Sequence, residues 1–228
     1  MLSDLQQQLA NLYQVDTGYC IDDFLITDPA MASVLGENAM LADTDETVLV
    51  NEDDDGMSLS VYLDQDMLQR LVDQKPLESL QAGYLRDFWT VLEGVSHFTC
   101  LTHRAHSEKP VTLLELELQA EVDKFVATWL LAAGQGDTAL LGRLHGWLFD
   151  HVSFHPDLDT GQQERYRAAN CRISRWQVLQ PTLLAKCCCA RHAAPVCNDT
   201  VTTYLRPAAD TQKKDGGRAT VNSTKQTA

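Results

Sequence analysis

The segment spanning residues 112–133, TLLELELQAEVDKFVATWLLAA, constrains the fold more than any other, because its helical pattern is apolar on two opposite sides. Leu114, Leu118, Val122, Phe125 and Trp129 recur at steps of three and four on one side, and Leu113, Leu116, Ala120, Ala127 and Leu131 lie on the other. A helix with two dry flanks is expected at the centre of a fold, packed on both. Its start is written locally: Thr112 and Glu115 stand in capping-box positions, Pro110 stiffens the entry, and Gly134 and Gly136 are placed to end it. Two polar seams separate the apolar sides, one with Glu117, Glu121 and Lys124 and the other with Glu115, Gln119 and Asp123.

The rest of the chain supplies partners for such a helix. Residues 77–105 read as a long helix whose stripe is Leu80, Tyr84, Phe88, Val91, Val95 and Phe98, and the short HSEKP connection predicts that it lies antiparallel to the segment after it. Shorter helices are expected from Ser3 and Gln6, with Leu2, Leu5, Leu9 and Leu12 inward; between Pro29 and Gly36; from Asp66 to Gln74; and from Asp137 onward, with Leu140, Leu144, Trp147 and Leu148 inward. The run YCIDDFLIT has strand character. Near 47–63, Val48 and Val50 alternate on one arm and Leu59, Val61 and Leu63 on the other, about Asp55-Gly56, which is a β-hairpin pattern. The predicted class is therefore mainly α (α+β): an antiparallel helical bundle around a central helix, with a small β-hairpin, in one acidic domain over residues 1–170.

Charge divides the chain at that point. Residues 1–170 carry 9 Lys and Arg against 29 Asp and Glu, a net of −20, whereas 171–228 carry 9 against 3, a net of +6. Five of the seven cysteines also lie in the second part, which lacks glutamate and any sustained period, and its last twenty residues have the composition of a disordered tail. Two accounts fit: a flexible basic extension, or a change of reading frame near Asn170. The acidic body repels phosphate backbones and so disfavours nucleic acid as a partner. The odd cysteine count without framework spacing, and the lack of a signal-peptide pattern or a long apolar run, point to a reducing cytoplasm and to no membrane span.

Candidate chemistry is concentrated on the two long helices. Glu93 and His97 are four apart on the first, and Glu117 and Glu121 four apart on the second, so each pair shares a helical face; bundle proteins build carboxylate and histidine metal sites from facing pairs of this kind. At about 100° per residue, however, Glu93 and His97 fall more than about 100° from the Val91 and Val95 stripe, which predicts a solvated face for them. The Glu117 and Glu121 seam reads as surface charge, although two apolar flanks leave it little room for solvent. Other groupings are weaker. Asn51, Asp53, Asp55 and Gly56 begin a calcium-loop pattern, but Tyr62 stands where a bidentate glutamate is needed. His145, His151 and His155 share little spacing, and Cys187, Cys188, Cys189, His192 and Cys197 lack a Cys-x-x-Cys pair. No phosphate-binding loop, dinucleotide fingerprint or serine nucleophile elbow is present.

From sequence, then, the expectation is a small acidic cytoplasmic protein that works by binding another macromolecule, a protein partner rather than nucleic acid, or as an accessory factor without a cofactor. The alternative is a metal-dependent enzyme that holds a divalent ion with Glu93, His97, Glu117 and Glu121.

Overall fold

The computed structural model describes residues 1–36, 44–53, 56–150, 152–154, 160–161, 163–164, 167–168, 219–222 and 225–227. The chain is mainly helical with a small sheet. Its α-helices are α1 (Leu2–Tyr13), α2 (Pro29–Leu35), α3 (Gln65–Gln74), α4 (Leu85–His106), α5 (Leu113–Gln135) and α6 (Thr138–His145). Its strands are β1 (Leu25–Ile26), β2 (Glu46–Asp53), β3 (Gly56–Leu63), β4 (Val152–Phe154), β5 (Ala219–Asn222) and β6 (Lys225–Thr227).

The local signals of α5 are realised. The Thr112 hydroxyl accepts from the Glu115 backbone N–H at 3.2 Å, and Glu115 Oε2 accepts from the Thr112 N–H at 2.8 Å. At the other end Gly136 adopts φ 74°, the left-handed conformation that stops a helix, while Gly134 lies within α5. Leu116, Ala120 and Ala127 on one side and Leu118, Val122 and Phe125 on the other are all buried.

The long helix before it is shorter than expected. It begins at Leu85 behind a single 3-10 turn at Ala82–Tyr84, and residues 76–81 are drawn away from helical form by Gln135 at the end of α5. Gln135 Nε2 donates to the carbonyls of Pro76 and Leu77, and its Oε1 accepts from the Leu80 N–H at 2.7 Å. The expected stripe from Leu80 to Phe98 is nonetheless buried throughout. Two predicted caps differ too. Asp64 rather than Asp66 caps α3, accepting from the Met67 N–H at 2.7 Å. Gln6, rather than closing α1, reaches across to the Tyr19 carbonyl and the Ile21 N–H. Those bonds anchor the chain at Tyr19 and Ile21, where a 3-10 turn runs over Ile21–Phe24, so that of the expected strand there only β1 forms. Past α6, Gly146–Asp150 makes one π-helical turn.

The hairpin register pairs Val48 with Val61, Val50 with Leu59 and Glu46 with Leu63, and β1 adds to β3 in parallel. β5 pairs antiparallel with the other edge of β2, giving the order β1-β3-β2-β5, and β6 pairs with β4. The expected boundary near residue 170, the tail cysteines and the Asp54-Asp55 turn lie outside the described residues. One face of the hairpin, with Val48, Val61 and Leu63, joins the main core; on the other, Leu49 and Tyr62 are covered by Ala32 of α2.

Packing gives α4 more neighbours than the sequence pattern suggests. It lies against α1, α3, α5, β2 and β3, whereas α5 lies against α1, α4 and α6. Among the described residues no helix is long and apolar enough to cross a membrane.

Candidate metal centre

Because α5 covers one side of α4 and the hairpin another, every residue of α4 from Val91 to Thr99 is buried. This corrects the solvated face expected for Glu93 and His97. The angular argument assumed one dry stripe, and β2 and β3 provide a second one that no periodicity within α4 can reveal. The seam of Glu117 and Glu121 on α5 is likewise interior, not surface charge. With Glu46 from β2 and Lys124 from α5, these residues form one polar cluster in the core, each at most 4% exposed.

Within the cluster one oxygen of Glu93, one ring nitrogen of His97 and one oxygen of Glu117 all lie within 4.8 Å of one another. Three of the four sequence candidates are thus brought together. Glu121, the fourth, is engaged by Lys124, whose Nζ donates to Glu121 Oε1 at 2.8 Å and to Glu93 Oε2 at 2.6 Å. Burial alone would pull the Lys124 ammonium down; the two carboxylates outweigh it and hold its pKa above the usual lysine value. Burial pushes Glu117 up to about 8, against the pull of His97 and with a further push from Glu93. His97 is fully buried, and neither of its ring nitrogens makes a hydrogen bond; Nδ1 stands 3.7 Å from Glu46 Oε1.

Beside this cluster runs a second, saturated network. Asp123 accepts from Ser96 Oγ at 2.5 Å, from Gln119 Nε2 at 2.9 Å and from the hydroxyl of Tyr13 at the end of α1. Burial raises its carboxyl to about 6, opposed by those three donors. Trp89 Nε1–H donates to Thr128 Oγ1 at 2.9 Å, which in turn donates to the Lys124 carbonyl, so a buried bond fastens α4 to α5 one helical turn from the cluster.

Glu46 is the member that periodicity within the helices could not supply. The signal was in the hairpin: two residues before Val48 in a strand, it must face the same side as Val48 and Val50, so an ionisable group was written at a core position. Of the remaining histidine grouping, His151 and His155 lie outside the described residues; His145 stacks near Phe149 with ring centroids 5.2 Å apart.

Four buried carboxylates face one ammonium in this cluster. Buried charge of one sign is costly unless protons or cations offset it, and the donor set of two carboxylates and an imidazole is one that holds divalent zinc, iron or manganese. The molecule is a mainly helical protein with a small sheet and a carboxylate–histidine cluster in its core. Compared with families of known proteins, with curated proteins and with solved structures, the chain matches none of them.

Proposed function

We propose that the chain is a metal-dependent enzyme whose divalent ion is held by Glu93, His97 and Glu117. The observation that supports this above all others is the convergence of those three ligand atoms within 4.8 Å at fully interior positions, with an imidazole whose nitrogens are otherwise without hydrogen bonds. Core histidines normally satisfy at least one ring nitrogen, so a metal accounts for what packing leaves over. Three protein ligands leave a coordination position for water or substrate, the arrangement of catalytic rather than structural sites. Glu93 can serve both cations, because a carboxylate can bridge an ammonium and an ion. In this reading α4 and α5 are the antiparallel pair of a helical bundle, and Glu121 and Lys124 supply the charge beside the ion rather than a bond to it.

The test is elemental analysis of the purified full chain, followed by titration of the metal-stripped protein with Zn²⁺, Fe²⁺ and Mn²⁺. About one equivalent of one metal is expected, lost in Glu117→Ala and His97→Ala while circular dichroism shows the fold retained. A folded wild-type chain that takes up none of the three ions sinks the proposal.

A second reading, an accessory protein that binds a protein partner, rests on α2. Met31, Val34 and Leu35 are exposed there, Val34 by 75%, as large apolar side chains on one short helix. The acidic body argues against nucleic acid as that partner. Cys20 and Cys100 are free thiols, which supports a reducing compartment such as the cytoplasm.

A further inference from the structure

Glu46 comes to the cluster through a gap made for it. Gly94 on α4 has no side chain, and a Cβ there would lie 3.2 Å from Glu46 Cγ, 3.3 Å from Glu46 Oε1 and 3.2 Å from a methyl of Leu63. The hairpin therefore rests directly on the α4 backbone at Gly94, and the Glu46 carboxylate is carried over that point towards His97, one turn further along the same helix. Both side chains are fully buried, and Glu46 Oε1 stands 3.7 Å from Nδ1. Glu46 is not among the residues whose ligand atoms converge.

An imidazole carries its nitrogens on separate edges of the ring, so a ring whose Nδ1 edge faces Glu46 has its Nε2 edge turned elsewhere. A neutral imidazole binds a metal through one nitrogen and keeps its proton on the other, and a carboxylate at that second nitrogen decides which is which. Resting on the metal reading above, we propose that Glu46 is a positioning residue for His97. It accepts a hydrogen bond from Nδ1–H and so presents Nε2 to the ion, with Gly94 as the notch that lets it approach. Closing the pair from 3.7 Å to a charge-assisted hydrogen bond of about 2.8 Å needs a shift of under about 1 Å, within reach of a side-chain rotation.

The probe is Zn²⁺ added to the metal-stripped full chain, with affinity read by chelator competition and the His97 tautomer read by ¹⁵N NMR of the zinc-loaded protein. Wild type should show the proton on Nδ1 and zinc on Nε2. Glu46→Ala should lose about 10- to 100-fold in affinity, the range found for such outer carboxylates. Glu46→Gln should keep most of it, because its amide oxygen still accepts from Nδ1–H. Gly94→Ala should weaken zinc by crowding Glu46 and should add nothing further in a Glu46→Ala background.

The outcomes separate the two claims. If wild type takes up none of Zn²⁺, Fe²⁺ and Mn²⁺, the metal reading falls and this one with it; if it takes up iron or manganese and not zinc, the same affinity comparison made with that ion decides the positioning role. If wild type binds and His97→Ala abolishes binding while Glu46→Ala leaves affinity unchanged, the positioning role alone is overturned. It is overturned equally if the proton sits on Nε2, or if X-ray absorption shows that Glu46→Ala removes a ligand from zinc. Should Glu46→Ala fail to fold, the wild-type tautomer and the Glu46→Gln affinity still decide the matter.

Discussion

Asp123 is ionisable at a place that water does not reach, and that gives the chain a pH window of its own. Its carboxyl stands at about 6 in the fold against an ordinary 3.8, so the folded state holds the proton more tightly than the unfolded one. The sign follows by linkage: the stabilisation is fully present below 3.8 and is lost as pH rises to about 6, because ionising the buried group then opposes folding. A shift of that size corresponds to roughly 3 kcal/mol as an upper figure. Urea denaturation of the metal-stripped chain between pH 3.5 and about 7 should show stability falling across this window. In Asp123→Asn, which keeps the shape and cannot ionise, the fall should be smaller. An identical pH profile for the two proteins would mean that Tyr13, Ser96 and Gln119 compensate the burial in full.

At the scale of elements, the test is α5. Leu116 and Leu118 are both buried and lie on opposite sides of it. Leu116→Ala and Leu118→Ala should each cost about 2 to 5 kcal/mol, read as a drop in denaturation midpoint. If either is silent, one flank of α5 is not packed in solution. This helix was legible because its information is local: a capping box spans three residues, and two apolar rows at steps of three and four need no knowledge of the partner. The hairpin was legible for the same reason, its alternation fixing register and face together. The 77–105 helix was misread at its start because a glutamine fifty-odd residues away captures the backbone of 76–81, a contact without any sequence trace. The burial of Glu93 and His97 was misread for a related reason. A stripe tells which side of a helix meets its first neighbour and is silent about a second, here the hairpin. The candidate residues themselves were readable from their spacing on α4 and α5; that three of them converge, and that Glu46 joins them from a strand, depends on how α4 meets β2.

For the molecule as a whole, the cluster occupies the seam where β2, α4 and α5 meet, and the chain reaches that seam from several directions. α1 touches it through Tyr13 and Asp123, and β5, near the end of the sequence, pairs with Thr47, next to Glu46. In the proposed metal form every donor to the ion is interior, so the ion leaves, and substrate reaches its open position, only when α4 and α5 part, and the bond from Trp89 to Thr128 resists that parting. Exchange then becomes a clock for breathing of the core. Release to a chelator should follow a single exponential whose rate stops depending on chelator concentration, since opening and not capture is the slow event. Thr128→Val, which keeps the volume and removes the bond, should quicken the release while leaving the number of ions bound unchanged. A protein built this way acquires its metal most readily while it folds, and afterwards keeps it for as long as its two longest helices stay together.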